Sequence, residues 1–371
     1  MRLSLVMFFL MVAPWALAAE AKGIEGDLHQ KRAAEVTDFL EDTYYNRKSG
    51  QYSGKPDEDG PVAVWGAGIM FSALAGGARH EEKYERDMKK YFKALDSYWD
   101  VAVEIPGYEP LPTQGGNDKY YDDNAWMVLT FLEAYDITGD KRYLKRADET
   151  LDHVLSGWDE ELGGGIWWHE GHKGGSKNTC ANAPAALGCY RLSQYVDPQR
   201  RLELIEWGNK IVKWTVEQFQ GDDLLFEDAV VVATGEKNRG KLTYNTALMI
   251  RNFIALYGLS GQQPYLQEAL KTADAAQSMI QSNGAYRDSW RWSHLQVEAD
   301  IELYRLTGMQ KYLDRATTTA AHHYEVWKEK PPEELIDVAS LARELWLLAD
   351  LETAEGRAFW KRVDEWKKTG G

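Results

Sequence analysis

Only two cysteines occur in the 371 residues, Cys180 and Cys189. That rules out a disulfide framework or a cysteine-rich metal cluster. If both lie on one helix, nine residues of rise separate them by about 13 Å. A disulfide spans no more than about 7 Å between Cα atoms, so two free, buried thiols are expected. Basic charge is also short: 43 Lys and Arg stand against 58 Asp and Glu, a net −15. Such a surface repels nucleic acid and polyanionic polymers, and a neutral partner fits it better. No Asn-x-Ser/Thr sequon is present, which leans towards a bacterial periplasm or medium. No P-loop, Rossmann fingerprint or nucleophile elbow is found. His169-Glu170-Gly171-His172 lacks the spacing and the third ligand of a zinc site. No metal and no cofactor are expected.

The chain opens MRLSLVMFFLMVAPWALAAE. Arg2 supplies a positive start, Leu3–Val12 a short apolar run, and Ala16-Leu17-Ala18 a small-residue cleavage site, the pattern of a secretory signal. The apolar run falls short of the roughly 20 residues that cross a bilayer. Residues 1–19 are therefore expected to be removed. A single domain over 20–371 would remain, secreted or periplasmic, without a membrane anchor and monomeric. The loss of Arg2 would bring its charge to −16.

One pattern recurs. FLEAYDITGDKRYLKRA (131–147), FIALYGLSGQQPYLQEA (253–269) and DIELYRLTGMQKYLDRA (300–316) align Tyr135, Tyr257 and Tyr304, then a Thr/Ser-Gly pair, then Tyr143, Tyr265 and Tyr312. Each copy reads as an apolar helix, a turn with Gly as the helix stop, and a second helix. Weaker copies cover Val62–Gly76 with Glu81–Trp99, and Ala181–Tyr195 with Pro198–Phe219. Glu333–Leu351 with Glu355–Lys367 closes the set, and Leu28–Tyr45 adds a helix at the start. No run alternates like a strand. Six helical hairpins predict an all-α fold, an (α/α)6 toroid with an inner and an outer ring of helices; an open α-solenoid is the alternative. Long loops at 100–121, 157–179, 220–242 and 282–292 each precede the first helix of a hairpin. They should gather on one face, where function is expected.

One of them ends in YYDDNAWM, residues 120–127. Ala125, Val128, Leu132 and Tyr135 have helical spacing, so a helix begins near Asp122. Asp122 and Asp123 then sit at its N-terminus. Capping would explain one acid there. Two acids among Tyr120, Tyr121 and Trp126, on the loop face, suggest more. Retaining glycoside hydrolysis needs two carboxylates about 5–5.5 Å apart, one ionised and one protonated. The helix dipole would hold one Asp ionised, and repulsion from it would raise the pKa of the other.

YYDDNAWM, LTFLEAYDITGDKRYL, GGGIWW at 163–168 and KNTCANAPAAL at 177–187 together resemble glycoside hydrolase family 76, the endo-α-1,6-mannanases of (α/α)6 fold. The likeness is strongest over 118–190 and continues through LLFEDAV and KLTYNTAL. It implies Asp122 as nucleophile, Asp123 as acid/base, retention of configuration and a polysaccharide or oligosaccharide substrate. It also implies an acid, Asp228, near the pair. The chain departs from the family at Thr246-Ala247, where Gln-Gly is common. It departs again at Trp290-Arg291-Trp292, where Phe-Lys-Gly is common. Both stretches should line the cleft.

Trp167 and Trp168 are candidates for stacking on a sugar ring, one of them with a plug role as the alternative. Asn178 is read equally as a helix cap or a sugar contact. Asn182 is read as a sugar contact or as a group that orients the Asp pair, since Asn gains little inside a helix. Tyr121, Trp126, Tyr244 and Asn245 complete the candidate substrate-binding set. Two rival functions share these features, a transglycosidase and a non-catalytic glycan-binding protein. An epimerase or lyase of the same shape is a third, disfavoured by few cleft histidines and by the acidic charge.

Overall fold

The computed structural model describes residues 27–112, 118–171, 175–354, 356–358 and 361. The expected signal segment lies outside them, as does most of Glu355–Lys367. Twelve α-helices are present among the described residues. In chain order they are α1 (Leu28–Tyr44), α2 (Val64–Ala78), α3 (Glu82–Ala94), α4 (Tyr121–Thr138), α5 (Lys141–Ser156) and α6 (Thr179–Leu192). Then follow α7 (Pro198–Phe219), α8 (Thr243–Ser260), α9 (Gln263–Ala275), α10 (Trp290–Thr307), α11 (Gln310–Glu329) and α12 (Leu335–Glu352).

The even-numbered helices form the inner ring. Each packs on the next, and α12 packs on α2, which closes the circle. The odd-numbered helices lie outside. Composition explains the division. In α3 the buried residues are Tyr84, Met88, Tyr91 and Phe92, a single stripe. In α2 nearly every residue from Val64 to Gly77 is buried. Small residues let the inner helices approach: a Cβ at Gly76 would lie 2.7 Å from Trp346 Cβ on α12.

The repeated Tyr-x-x-Thr/Ser-Gly turn is the hinge of three hairpins. Gly139, Gly261 and Gly308 have φ of +66°, +67° and +70°. Their N–H groups donate to the carbonyls of Tyr135, Tyr257 and Tyr304 at 2.8, 2.8 and 2.7 Å. This is the left-handed stop that glycine adopts at least cost.

Two features differ from the sequence reading. Among the described residues the outer partner of α12 is α1, so this pair joins segments far apart in the sequence; the expected partner Glu355–Lys367 lies mostly outside the described residues. There are also short strands: β1 (Tyr45–Asn46) pairs with β2 (Gln51–Tyr52), and β3 (Trp99–Asp100) with β4 (Gly107–Tyr108). β5 (Ser176–Asn178), β6 (Ala229–Val231) and β7 (Lys237–Asn238) form an antiparallel sheet. Strands of two or three residues leave no alternating pattern to detect.

The β5–β6 pair joins two of the long loops. Tyr120 bridges to His169, tying a third loop to them. Arg287 donates to the Lys241 carbonyl at 2.7 Å, joining the last. The loops do share one face.

Candidate active site

Alternating hairpins start every inner helix at the same end of the ring. The first turns of α2, α4, α6, α8 and α10 line a cleft of about 430 Å³. Trp65 is the second residue of α2, Asp122 and Asp123 the second and third of α4, and Cys180 the second of α6. Tyr244 and Asn245 are the second and third of α8, and Trp292 the third of α10. First-turn N–H groups have no partner within their helix, so the positive ends of several helix dipoles converge here. Among the described residues no Lys, Arg or His lines the cleft.

Helix α4 begins at Tyr121, with Tyr120 in the cap position and no side chain capping it. Neither aspartate is the cap; both lie in the first turn. Asp122 Oδ1 accepts from the Asp123 N–H at 2.9 Å. Its Oδ2 accepts from Trp168 Nε1 at 2.9 Å and from the Cys180 thiol at 3.4 Å. Burial raises the Asp122 carboxyl above its usual range, and these donors pull it back. Among the described residues no donor reaches the Asp123 carboxyl. Burial, with the charge of Asp122 beside it, drives it far higher. The hydrogen-bond donors thus favour the charged form of Asp122 over that of Asp123, which has none among the described residues.

The β5–β6–β7 sheet builds one wall. Just before β6, Asp228 accepts from Asn238 Nδ2 at 2.8 Å and from Asn245 Nδ2 at 3.4 Å, and burial raises its carboxyl. Asn178 lines the cleft ahead of α6. Its side chain accepts from Ser176 Oγ at 2.7 Å and caps nothing. Tyr244 donates its hydroxyl to the Cys180 carbonyl at 3.4 Å. Trp168 stands at the rim, 37% exposed, edge-on to Tyr120. Trp126 forms the floor, stacked with His294 of α10 at 6.0 Å.

Three expected sugar contacts lie elsewhere. Tyr121 is buried against His153, where its ring stacks at 5.2 Å. Trp167 is buried below the loop, and its indole N–H donates to Asp159 at 2.6 Å; it is the plug of the tryptophan pair. Asn182 is fully buried and clamps Ile166, accepting from its N–H at 2.8 Å and donating to its carbonyl at 2.9 Å. Asn124 holds Tyr108 in the same way, at 2.7 and 3.0 Å. An Asn in the fourth helical position thus fastens the preceding loop to its helix. Asn182, expected as a sugar contact, is instead taken up by the loop backbone at Ile166.

Beneath Trp126 runs an ionic network that the repeats do not reveal. Arg343 of α12 binds Glu133 of α4 at 2.8 Å and Glu298 of α10 at 2.7 Å. Arg251 of α8 binds Glu298 at 2.6 Å and Glu302 at 3.0 Å. Burial, then Arg343 and Arg251, keeps His294 neutral. Charged residues in the middle of otherwise apolar inner helices were the available signal. Trp65 and Asn238 also line the cleft without having been singled out. Cys180, expected to be buried, reaches the cleft, and Cys189 is buried; both are free. His169 hydrogen-bonds Asp118, and His172 lies outside the described residues.

Comparison with known proteins accords with this geometry. No curated protein sequence matches the chain. Among solved structures, an α-mannanase of Bacteroides thetaiotaomicron superposes with a TM-score of 0.81 at 23% identity, covering 91% of this chain and 97% of that one. An inactive variant of the α-1,6-mannanase of Salegentibacter sp., with two consecutive aspartates replaced by asparagine and α-1,6-mannotriose bound, gives 0.73 at 21% identity over 87% and 100%. The fungal protein Dfg5 of Chaetomium thermophilum, in complex with glucosamine, gives 0.67 at 14% over 88% and 90%. These likenesses establish the shared toroid. The sequence profile of Glycosyl hydrolase family 76 matches residues 29–293, and the chain belongs to that family of glycoside hydrolases.

Proposed function

We propose that this glycoside hydrolase is exported and cleaves internal α-1,6-mannosidic bonds of a neutral α-mannan with retention of configuration. The observation that carries this reading is the division of labour in the acid pair. Asp122 accepts three hydrogen bonds, which favour its charged form, while burial and the neighbouring Asp122 push the Asp123 carboxyl well above its usual range. In the first step Asp123 protonates the glycosidic oxygen as the Asp122 carboxylate attacks the anomeric carbon. The leaving sugar departs with that proton and a glycosyl ester forms on Asp122. Asp123, now ionised, takes a proton from water, which attacks the anomeric carbon and returns Asp122 to the carboxylate.

Aromatic rings of Trp65, Trp168 and Trp292 offer flat faces for pyranose rings, and Asn178, Asp228, Tyr244 and Asn245 offer polar groups for hydroxyls. Three aspartates without a cationic side chain disfavour phosphorylated or uronic substrates. The α-1,6-mannotriose bound by the Salegentibacter relative supports the choice of linkage. The signal-like residues 1–19 support export; no helix among the described residues is long and apolar enough to cross a membrane.

The test is incubation of the purified protein with unbranched α-1,6-mannan, alongside Asp122→Asn and Asp123→Asn. Short manno-oligosaccharides from the wild type alone are expected. Mannan bound but left intact by the wild type would refute the hydrolase reading for this glycan.

A further inference from the structure

The reading of Asp122 as nucleophile leaves open how one of two adjacent carboxylates is selected and held. Two side chains from different segments converge on the same oxygen. Trp168 comes from the exposed loop ahead of β5, and Cys180 from the first turn of α6. Both donate to Asp122 Oδ2, at 2.9 and 3.4 Å. We propose that Trp168 and Cys180 are positioning residues, a donor clamp that fixes the orientation of the Asp122 carboxylate and keeps it the ionised member of the pair.

The surroundings leave this task to the clamp. The titratable groups facing Asp122 are Asp123 on its own helix, Tyr120 ahead of it, Cys180 on α6, Asp228 before β6 and Tyr244 on α8. All of them are neutral or anionic, and none can stabilise a carboxylate by opposite charge. Neutral N–H and S–H dipoles must do so, together with the helix terminus. The Cys180 thiol is suited to this. Burial first, and then Asp122 and Asp228, push it well above its usual range, so it stays protonated and remains a donor. Asp123 has no comparable donor among the described residues, and the proton falls to it by default.

Trp168 also joins binding to chemistry. Its ring is exposed at the rim while its N–H is fixed on Asp122. A sugar resting on that ring is thereby set in register with the carboxylate.

The proposal rests on the assignment of Asp122 as nucleophile, and its test separates the two. The pH dependence of kcat/KM is measured on α-1,6-mannan for the wild type, Trp168→Phe, Cys180→Ala and the double variant. Phe keeps an aromatic face but removes the donor. Loss of either donor should raise the acidic limb by about half a pH unit, and loss of both by about one. Trp168→Ala should add a rise in KM to the same limb shift. Thermal melts establish that each variant is folded; Trp168→Phe, at an exposed rim position, is the variant on which the conclusion depends. An unmoved acidic limb in Trp168→Phe and Cys180→Ala, with Asp122→Asn inactive, would overturn the clamp and leave the nucleophile standing. Activity retained by Asp122→Asn would instead overturn the assignment beneath it.

Discussion

Replacing Arg343 by Met removes the cation under the floor of the cleft and keeps most of its volume. The side chain is 3% exposed and holds Glu133 and Glu298 at 2.8 and 2.7 Å. Burial pushes the Glu133 carboxyl up, and Arg343 with Arg191 more than offsets it. Without the guanidinium, Glu298 keeps Arg251, but Glu133 loses its direct partner. Breaking a buried pair in this way costs about 3–5 kcal/mol. The unfolding entropy of a chain of this size is on the order of 0.7 kcal/mol per degree, taking about 2.1 cal/mol/K per residue. Tm should therefore fall by about 4–7 °C in a calorimetric scan at neutral pH. Lys213→Met provides the contrast. Its pair with Glu217 spans 3.9 Å with both side chains well exposed, and Tm should move by about 1 °C or less. Adding Glu133→Gln to Arg343→Met should recover part of the loss by removing the stranded charge. Equal effects for Arg343→Met and Lys213→Met would refute the claim that the network supports the floor.

Asp300 is fully buried, accepts from the Tyr286 hydroxyl at 2.5 Å, and has its pKa raised by burial to about 7. Its folded value exceeds the unfolded one, so its contribution favours folding below about pH 4 and is lost as pH rises towards 7. Asp300→Asn should then stabilise the protein at pH 8, by up to about 4 kcal/mol, and the difference in Tm should vanish near pH 4. Gly139 has a left-handed φ of +66° and open space where a Cβ would stand. Gly139→Ala should thus cost about 1 kcal/mol from backbone strain alone, read by urea denaturation, with Asn at that position costing less. Tyr121→Phe should leave KM for mannan unchanged, since that ring packs on His153 away from the cleft; a severalfold rise would reinstate Tyr121 as a sugar contact.

The repeats made the toroid legible because each hairpin carries its own stop signal. Gly139, Gly261 and Gly308 all take the left-handed turn that the aligned Thr/Ser-Gly pairs imply. The closure of the ring was less visible. The partner of α12 is α1, more than 280 residues away in sequence, and no local pattern announces that pairing. The position of Asp122 and Asp123 on the loop face could be read because a helix start is a local event. Which neighbours point into the cleft could not. Tyr121 and Asp122 are consecutive, yet one is buried against α5 and the other faces the cleft, since successive helical residues diverge by about 100°. The adjacent tryptophans divide in the same manner, Trp167 inward and Trp168 to the rim. Cys180 was read only as a buried thiol because a cysteine in an apolar helix most often packs; its contact with Asp122 exists only once α4 and α6 are side by side.

The separate roles of the two aspartates are tested most directly with an activated substrate, 2,4-dinitrophenyl α-1,6-mannobioside. Its leaving group departs without protonation. Asp123→Ala should release a burst of one dinitrophenolate per enzyme and then stall, because the glycosyl ester on Asp122 lacks its base; azide should restore turnover. Asp122→Ala should release none. A burst from Asp122→Ala, with none from Asp123→Ala, would contradict the assignment and exchange the two roles.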